Sequence, residues 1–289
     1  MTEEFQPKPF QSAKQEISKI KTSIDTENTL AFLDQDFLLR DELRPVRVQL
    51  ELWRPELVLC DNEIDETFVF FGSSKTPTPE YAQVLVEEAE HNCQQNPDDK
   101  NYRKQLKHAQ EVLANSHFRK EATKLAYLVS QEEQLNLFVV TGGGPGFMES
   151  ANQGAHEAGK PSLAFNMMLP HEQTANPFVT HELTFQFHYF AMRKMHFLVR
   201  AKAVAAFPGG FGTMDELFEV LTLMQTKKIE RLPLVLFRKA FWDQTINFTG
   251  LVEQGTIHEQ DLDLIHFAET AEQGWEIIKS ALLADKNKS

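Results

Sequence analysis

The chain has 289 residues, 42% hydrophobic and 25% charged, a globular composition that excludes a disordered or fibrous protein. A formal net charge of -13 argues against non-specific adhesion to nucleic acid or an anionic membrane, since both require clustered positive charge. Cys60 and Cys93 lack CxxC spacing and a histidine pattern, so they support neither a disulfide framework nor a metal site.

In chain order, MTEEFQPKPFQ lacks the basic region and apolar run of a signal peptide, and no segment approaches the roughly 20 apolar residues of a membrane span. A cytoplasmic protein is expected. Residues 1–62 are charged and polar, with short helical periodicities in ISKIKTSI and FLLRDELRPVRVQLELW, where Pro45 suits a first helical turn. They carry no recognisable chemistry and are expected to form a helical N-terminal extension, with the core domain occupying residues 63–289. From Thr67, TFVFFGSS predicts a buried strand entering a loop. Two or three helices are expected between Pro79 and Glu133, broken at Pro97, with Phe118, Ala122, Leu125 and Val129 on one face.

The segment LNLFVVTGGGPGFMESANQGAHEAGKPSLAFNM then predicts a strand, a glycine loop, a helix ending near Gly159 and a strand from Ser162. The same grammar returns in FHYFAMRKMHFLVRAKA as a helix, VAAFP as a strand, GGFGT as a loop and MDELFEVLTLMQTKK as a helix. LPLVLF is expected as another strand and TAEQGWEIIKSALL as a closing helix. Apolar strands alternating with helices predict an α/β fold, a parallel sheet with helices on both faces. Both glycine loops follow strands, so both fall at the carboxyl edge where such sheets bind ligands.

Glycines between strand and helix let the backbone approach a ligand, and the free N–H groups of the first helical turn attract an anion. TGGGPGFM and PGGFGTMD both have this form. Neither is a standard nucleotide fingerprint, because GxGxxG would need glycine at Phe147 and no GK[ST] makes a P-loop. TMDE, from Thr213 to Glu216, also reads as a T-x-x-E capping box, so Glu216 has a structural reading beside a catalytic one. The helix carrying Arg193 runs about 12 Å to Ala201 and the next strand returns about 13 Å to Pro208, which would bring Arg193 level with Gly209. Arg193 and Lys194 can equally be surface charges. His181, His188 and His196 lack metal-pair spacing and read as solvated or structural. The phenylalanine-rich FQFHYF and FVFF read as core rather than base-stacking platforms, with one exposed Phe able to hold a purine as the alternative.

These residues resemble a known family. PGGFGTMDE fits the PGGxGTxxE motif, and MRK upstream fits the paired RK motif, of the Lonely Guy (LOG) nucleoside monophosphate phosphoribohydrolases; FFGSS and GGGPGFMESANQGAHEAG resemble the family's first two loops. The resemblance covers about residues 66 to 240 and implies a Rossmann-like, usually dimeric or larger, enzyme. Such an enzyme hydrolyses the N-glycosidic bond of AMP-like or cytokinin riboside 5′-monophosphates without a metal or cofactor. Some members bear an old lysine decarboxylase label, for which nothing here supports the pyridoxal phosphate chemistry. Carried over, Arg193 and Glu216 match the catalytic pair. Gly209, Gly210, Gly212 and Thr213, with Gly143 and Gly144 opposite, would hold the 5′-phosphate, and Gly72, Ser73, Met148 and Lys194 would lie near substrate. The N-terminal extension and an insertion between about 90 and 115 depart from shorter members. A non-catalytic carrier or sensor of a phosphorylated nucleotide or cofactor is the alternative.

Overall fold

The computed structural model describes residues 30–168 and 174–286, so the periodicity expected in ISKIKTSI lies outside the described residues. The described residues divide after Leu50 into two compact units. In the first, Asp34 caps a single turn, α1 (Gln35–Leu38), by accepting from the Phe37 N–H at 2.9 Å. Arg47 donates to the carbonyls of Leu38 and Arg40 at 2.7 and 2.6 Å, tying that turn to the start of α2 (Arg44–Asp61).

The second unit is built on seven parallel strands: β1 (Thr67–Phe71), β2 (Phe138–Thr141), β3 (Leu163–Met167), β4 (Thr184–Phe187), β5 (Ala201–Ala206), β6 (Leu234–Phe237) and β7 (His266–Ala268). Their spatial order is β4-β3-β2-β1-β5-β6-β7. The chain therefore winds outward from β1 to β4, then crosses back to β5 and winds the other way. The direction reverses between β1 and β5, which places the ligand crevice of a doubly wound sheet between those two strands.

Strand alternation divides the core cleanly. Val69, Phe71, Val140, Phe165, Val204, Leu234 and Leu236 face one layer, completed by Phe197, Leu217, Val220 and Trp242. Phe68, Phe70, Val139, Ala203, Ala205, Val235 and Phe237 face the other, completed by Leu125, Val129, Phe147, Ala151 and Ile278. Burying each large apolar side chain stabilises the fold by about 1.5–3 kcal/mol. Sheet coverage on both faces explains why the central strands read as unbroken apolar runs.

The helices covering these layers are α5 (Phe118–Gln131), α6 (Phe147–Glu157), α7 (Phe190–Val199), α8 (Phe211–Gln225) and the closing helix Ala271–Lys286. Phe118, Ala122, Leu125 and Val129 share one packed face of α5, as their spacing predicts. Inserted between β1 and α5 is a hairpin of α3 (Pro79–Gln95) and α4 (Lys100–Ser116), with a small cluster of its own around Val86, Ala89 and Ala109.

Several expectations change. The strand at β4 and the three-residue β7 were not foreseen; FHYF, expected as helix, contributes Phe187 to β4 before α7 begins at Phe190. The strand expected from Val204 begins at Ala201, and α8 begins at Phe211 rather than Met214. No helix among the described residues is long and apolar enough to cross a membrane.

Candidate functional site

Three loops leave the carboxyl ends of the neighbouring strands β2, β1 and β5, and Ser73 joins them. Its N–H donates to the Pro208 carbonyl at 3.1 Å, while its own carbonyl accepts from the Phe147 N–H at 3.2 Å. Gly146, the N-cap of α6, has φ +71 and lies so close to Ser73 that any Cβ would collide with the Ser73 carbonyl. Gly72 is equally constrained, because a Cβ there would sit 2.7 Å from that of Phe147. Gly72, Ser73 and the loop of Gly143 and Gly144 thus form one continuous backbone floor, with the half-buried Met148 packed over Gly142.

Below that floor is a buried polar network. Asn176 donates to the carbonyls of Gly143 and Gly144 at 3.2 and 3.1 Å and to Asn152 Oδ1 at 3.0 Å. Thr141 Oγ1 donates to the same Asn152 oxygen at 2.7 Å and accepts from the Gly143 N–H at 2.9 Å. These bonds hold the two carbonyls inward. Sequence reasoning missed Asn152 and Asn176; the available signal was an asparagine on the apolar face of ESANQGAHEAG, a position that burial permits only with partners.

At β5 the capping-box reading of TMDE is overturned. The N-cap of α8 is Gly210, with no side-chain cap; Thr213 lies in the first turn, buried against Gly209, and Glu216 points away from the helix start. Gly209 must be glycine because a Cβ would collide with the Thr213 side chain. The first helical bond runs from the Met214 N–H to the Gly210 carbonyl at 2.9 Å. The N–H groups of Phe211, Gly212 and Thr213 therefore have no hydrogen-bond partner among the described residues, an arrangement that favours an anion.

Glu216 is paired with Arg193. The carboxylate accepts from the Arg193 guanidinium, and the two side chains are only 12% and 16% exposed. Burial pushes the Glu216 carboxyl above its usual range, with Arg193 opposing it. Arg193 is flanked by the rings of Phe197 and Phe190, with ring centroids at 5.4 and 5.8 Å, and its Nε is buried without a hydrogen-bond partner among the described residues. Lys194 points elsewhere, to Asp215 at 2.9 Å and Glu219 at 3.1 Å. Of the expected residues, the structure joins Arg193 to Glu216 and lines the edge with the three loops, while Lys194 stands apart from the pair.

An open apolar pocket of about 870 Å³ flanks Gly209 and Gly210, lined also by Phe211, Met214, Phe218 and Ile246. Neither Arg193 nor Glu216 lines it. Phe211 is 96% exposed there. No group of three or more His, Cys, Asp or Glu residues able to hold a metal ion occurs among the described residues, and His196 is buried against Phe165 and Phe187.

The class defined here is a doubly wound α/β protein with glycine loops and a buried Arg–Glu pair at the carboxyl edge of its sheet. Residues 148–278 match the family model described as possible lysine decarboxylase. The chain is 28% identical over 142 residues to the cytokinin riboside 5′-monophosphate phosphoribohydrolase LOG3 of Arabidopsis thaliana, covering 48% of this chain and 65% of that protein. It is 30% identical over 139 residues to the phosphoribohydrolase LOG of Oryza sativa subsp. japonica, covering 47% and 56%. The chain thus spans less than two thirds of these curated relatives. Over the segment they share, these matches bear out the resemblance to LOG-family proteins. Among solved structures, the molybdenum cofactor binding protein from the phototrophic bacterium Rippkaea orientalis is similar, with a TM-score of 0.43 and 18% identity, covering 75% of this chain and 98% of that one.

Proposed function

We propose that the protein hydrolyses the N-glycosidic bond of a nucleoside 5′-monophosphate, of the AMP or cytokinin riboside monophosphate type, to free base and ribose 5-phosphate. The observation that carries this reading is the buried pairing of Arg193 with Glu216 beside two glycine loops at the sheet's switch point. Similarity to two phosphoribohydrolases over about half of the chain supports it.

Cleavage passes through a ribosyl oxocarbenium ion, whose developing positive charge an adjacent carboxylate stabilises. Glu216 supplies that carboxylate. Ionised beside Arg193, it is held in a mostly buried environment where its charge acts strongly on the sugar and weakly on solvent. The unpaired first-turn N–H groups of α8 receive the 5′-phosphate, and the loop of Gly143 and Gly144, held by Thr141 and Asn176, closes the other side. Phosphate binding, remote from the reacting bond, is spent on positioning the ribose. Arg193 acts as the counter-charge to Glu216 and fixes where its carboxylate sits.

Incubation with AMP, GMP, CMP and a cytokinin riboside 5′-monophosphate, followed by chromatography, tests the reading through release of free base. Adenosine should react far more slowly than AMP, and equal turnover of the two would overturn the phosphate cradle. Tight nucleotide binding with no base released from any of the four would instead support a carrier or sensor. Dimerisation or higher assembly and cytoplasmic residence belong to the same proposal, and gel filtration checks the first.

A further inference from the structure

The helix that carries Arg193 is held from outside the sheet by the C-terminal part of α2. The Glu51 carboxylate accepts from the His188 N–H at 2.8 Å and the Tyr189 N–H at 3.1 Å, the two groups that lead into α7. The Glu51 backbone carbonyl lies 3.1 Å from Nε2 of His196, in the last turn of the helix. Glu56 reaches Arg200 at the end of the helix, at 2.7 Å, and lies 3.4 Å from His196 Nδ1. Two residues of one helix therefore hold both ends of another.

The hold matters because α7 has only ten residues, too few to be stable alone in water. Its Arg193 must nevertheless meet Glu216 on a different helix with hydrogen-bond accuracy. No side chain of α7 or of its N-cap residue caps its start. A carboxylate at that end both satisfies N–H groups and interacts favourably with the helix dipole. Arg193 lies one turn beyond Tyr189, to whose carbonyl its own N–H donates at 3.2 Å, so a shift at Tyr189 is transmitted directly to the guanidinium.

We infer that Glu51 is a positioning residue: by fixing the entry to α7 it sets where the Arg193 guanidinium meets Glu216. As a statement about catalysis this rests on the hydrolase reading above, but the placement of Arg193 can be read without turnover. The full chain is labelled with ¹³Cδ-glutamate, the Glu216 resonance is assigned from Glu216→Gln, and its titration is followed in wild type, Glu51→Ala and Glu51→Gln. Arg193 holds the Glu216 titration down, so its displacement in Glu51→Ala should move the midpoint upward. Glu51→Gln, which keeps one acceptor, should move it less.

Base release from AMP should fall by about 100-fold in Glu51→Ala, the loss expected for a displacement on the order of 1 Å, with partial rescue in Glu51→Gln. Gly154→Ala, which disturbs the contact of α6 with α5, serves as the control for destabilisation alone and should leave the Glu216 midpoint in place. A folded Glu51→Ala with an unchanged Glu216 midpoint overturns the inference. Where alanine yields no folded protein, Glu51→Gln is judged by the same criterion. If wild type releases no base, the hydrolase reading fails while the titration still decides the role of Glu51.

Discussion

Replacing Glu216 by glutamine separates a catalytic carboxylate from a structural one. Burial raises the Glu216 pKa despite the Arg193 guanidinium, so the ionised form is less at ease in the folded protein than in the unfolded chain. Glutamine keeps the shape and an acceptor for Arg193 without the buried charge. Stability of Glu216→Gln at neutral pH should therefore equal or exceed that of wild type, whereas losing half of a stabilising buried ion pair would cost about 3–5 kcal/mol. Converted at about 2–4 °C per kcal/mol, that cost would be a melting-temperature fall of about 6–20 °C, easily distinguished from none. Catalysis should move the other way. Removing one preorganised electrostatic group from an active site lowers kcat by about 10²–10³-fold, and base release from AMP measured by chromatography should fall by that much with little change in KM. A variant that melts well below wild type yet releases base at the wild-type rate would refute the catalytic assignment and leave Glu216 a strut.

The same pKa shift predicts a stability trend: the Glu216 contribution is fully present below the ordinary value of 4.5 and is lost as pH rises through the raised folded value, so the stability of Glu216→Gln relative to wild type should increase over that rise in thermal melts. Activity that needs the carboxylate should show an acid limb above the ordinary carboxylate range in a kcat/KM profile. Burial lowers the His196 pKa, so its contribution is present above 6.5 and lost as pH falls through the folded value; His196→Gln should blunt acid unfolding followed by circular dichroism. Gly209→Ala forces Thr213 to shift at the start of α8 and should weaken AMP binding by calorimetry more than it lowers the melting temperature. Gly154→Ala drives a Cβ into the Thr123 carbonyl across the α5–α6 contact and should destabilise by about 1–3 kcal/mol in denaturant melts, with specific activity of the folded protein kept.

Much of the central sheet was legible because strands covered on both faces are continuous apolar runs, as in TFVFF and LVLF. The edge strands were not. Gln186 of β4 is exposed and the strand merges in sequence with aromatic residues that open the next helix, while β7 has three residues, only one of them fully buried. Helix and strand rise brought Arg193 level with Gly209 and the family resemblance named Glu216 beside it, but TMDE misled because Gly210 starts α8 early enough to put Glu216 in its second turn. Glu51 carried no signal in the sequence. Its partners are backbone groups over a hundred residues away, and only the fold brings them together.

Arg238 ends β6 with a left-handed backbone, φ 64 and ψ 74, that glycine adopts without strain and arginine adopts at a cost of about 1–2 kcal/mol. Its guanidinium is nearly buried and bound to Asn115 and Glu111 of the inserted α3–α4 hairpin, at 2.5 and 2.8 Å. The hairpin is therefore not a detachable ornament. Trimming it would strip the Arg238 guanidinium of both partners at the carboxyl edge of the sheet, and glycine is the residue that relieves both the charge and the backbone. Hairpin and arginine form one unit of change, to be gained or lost together.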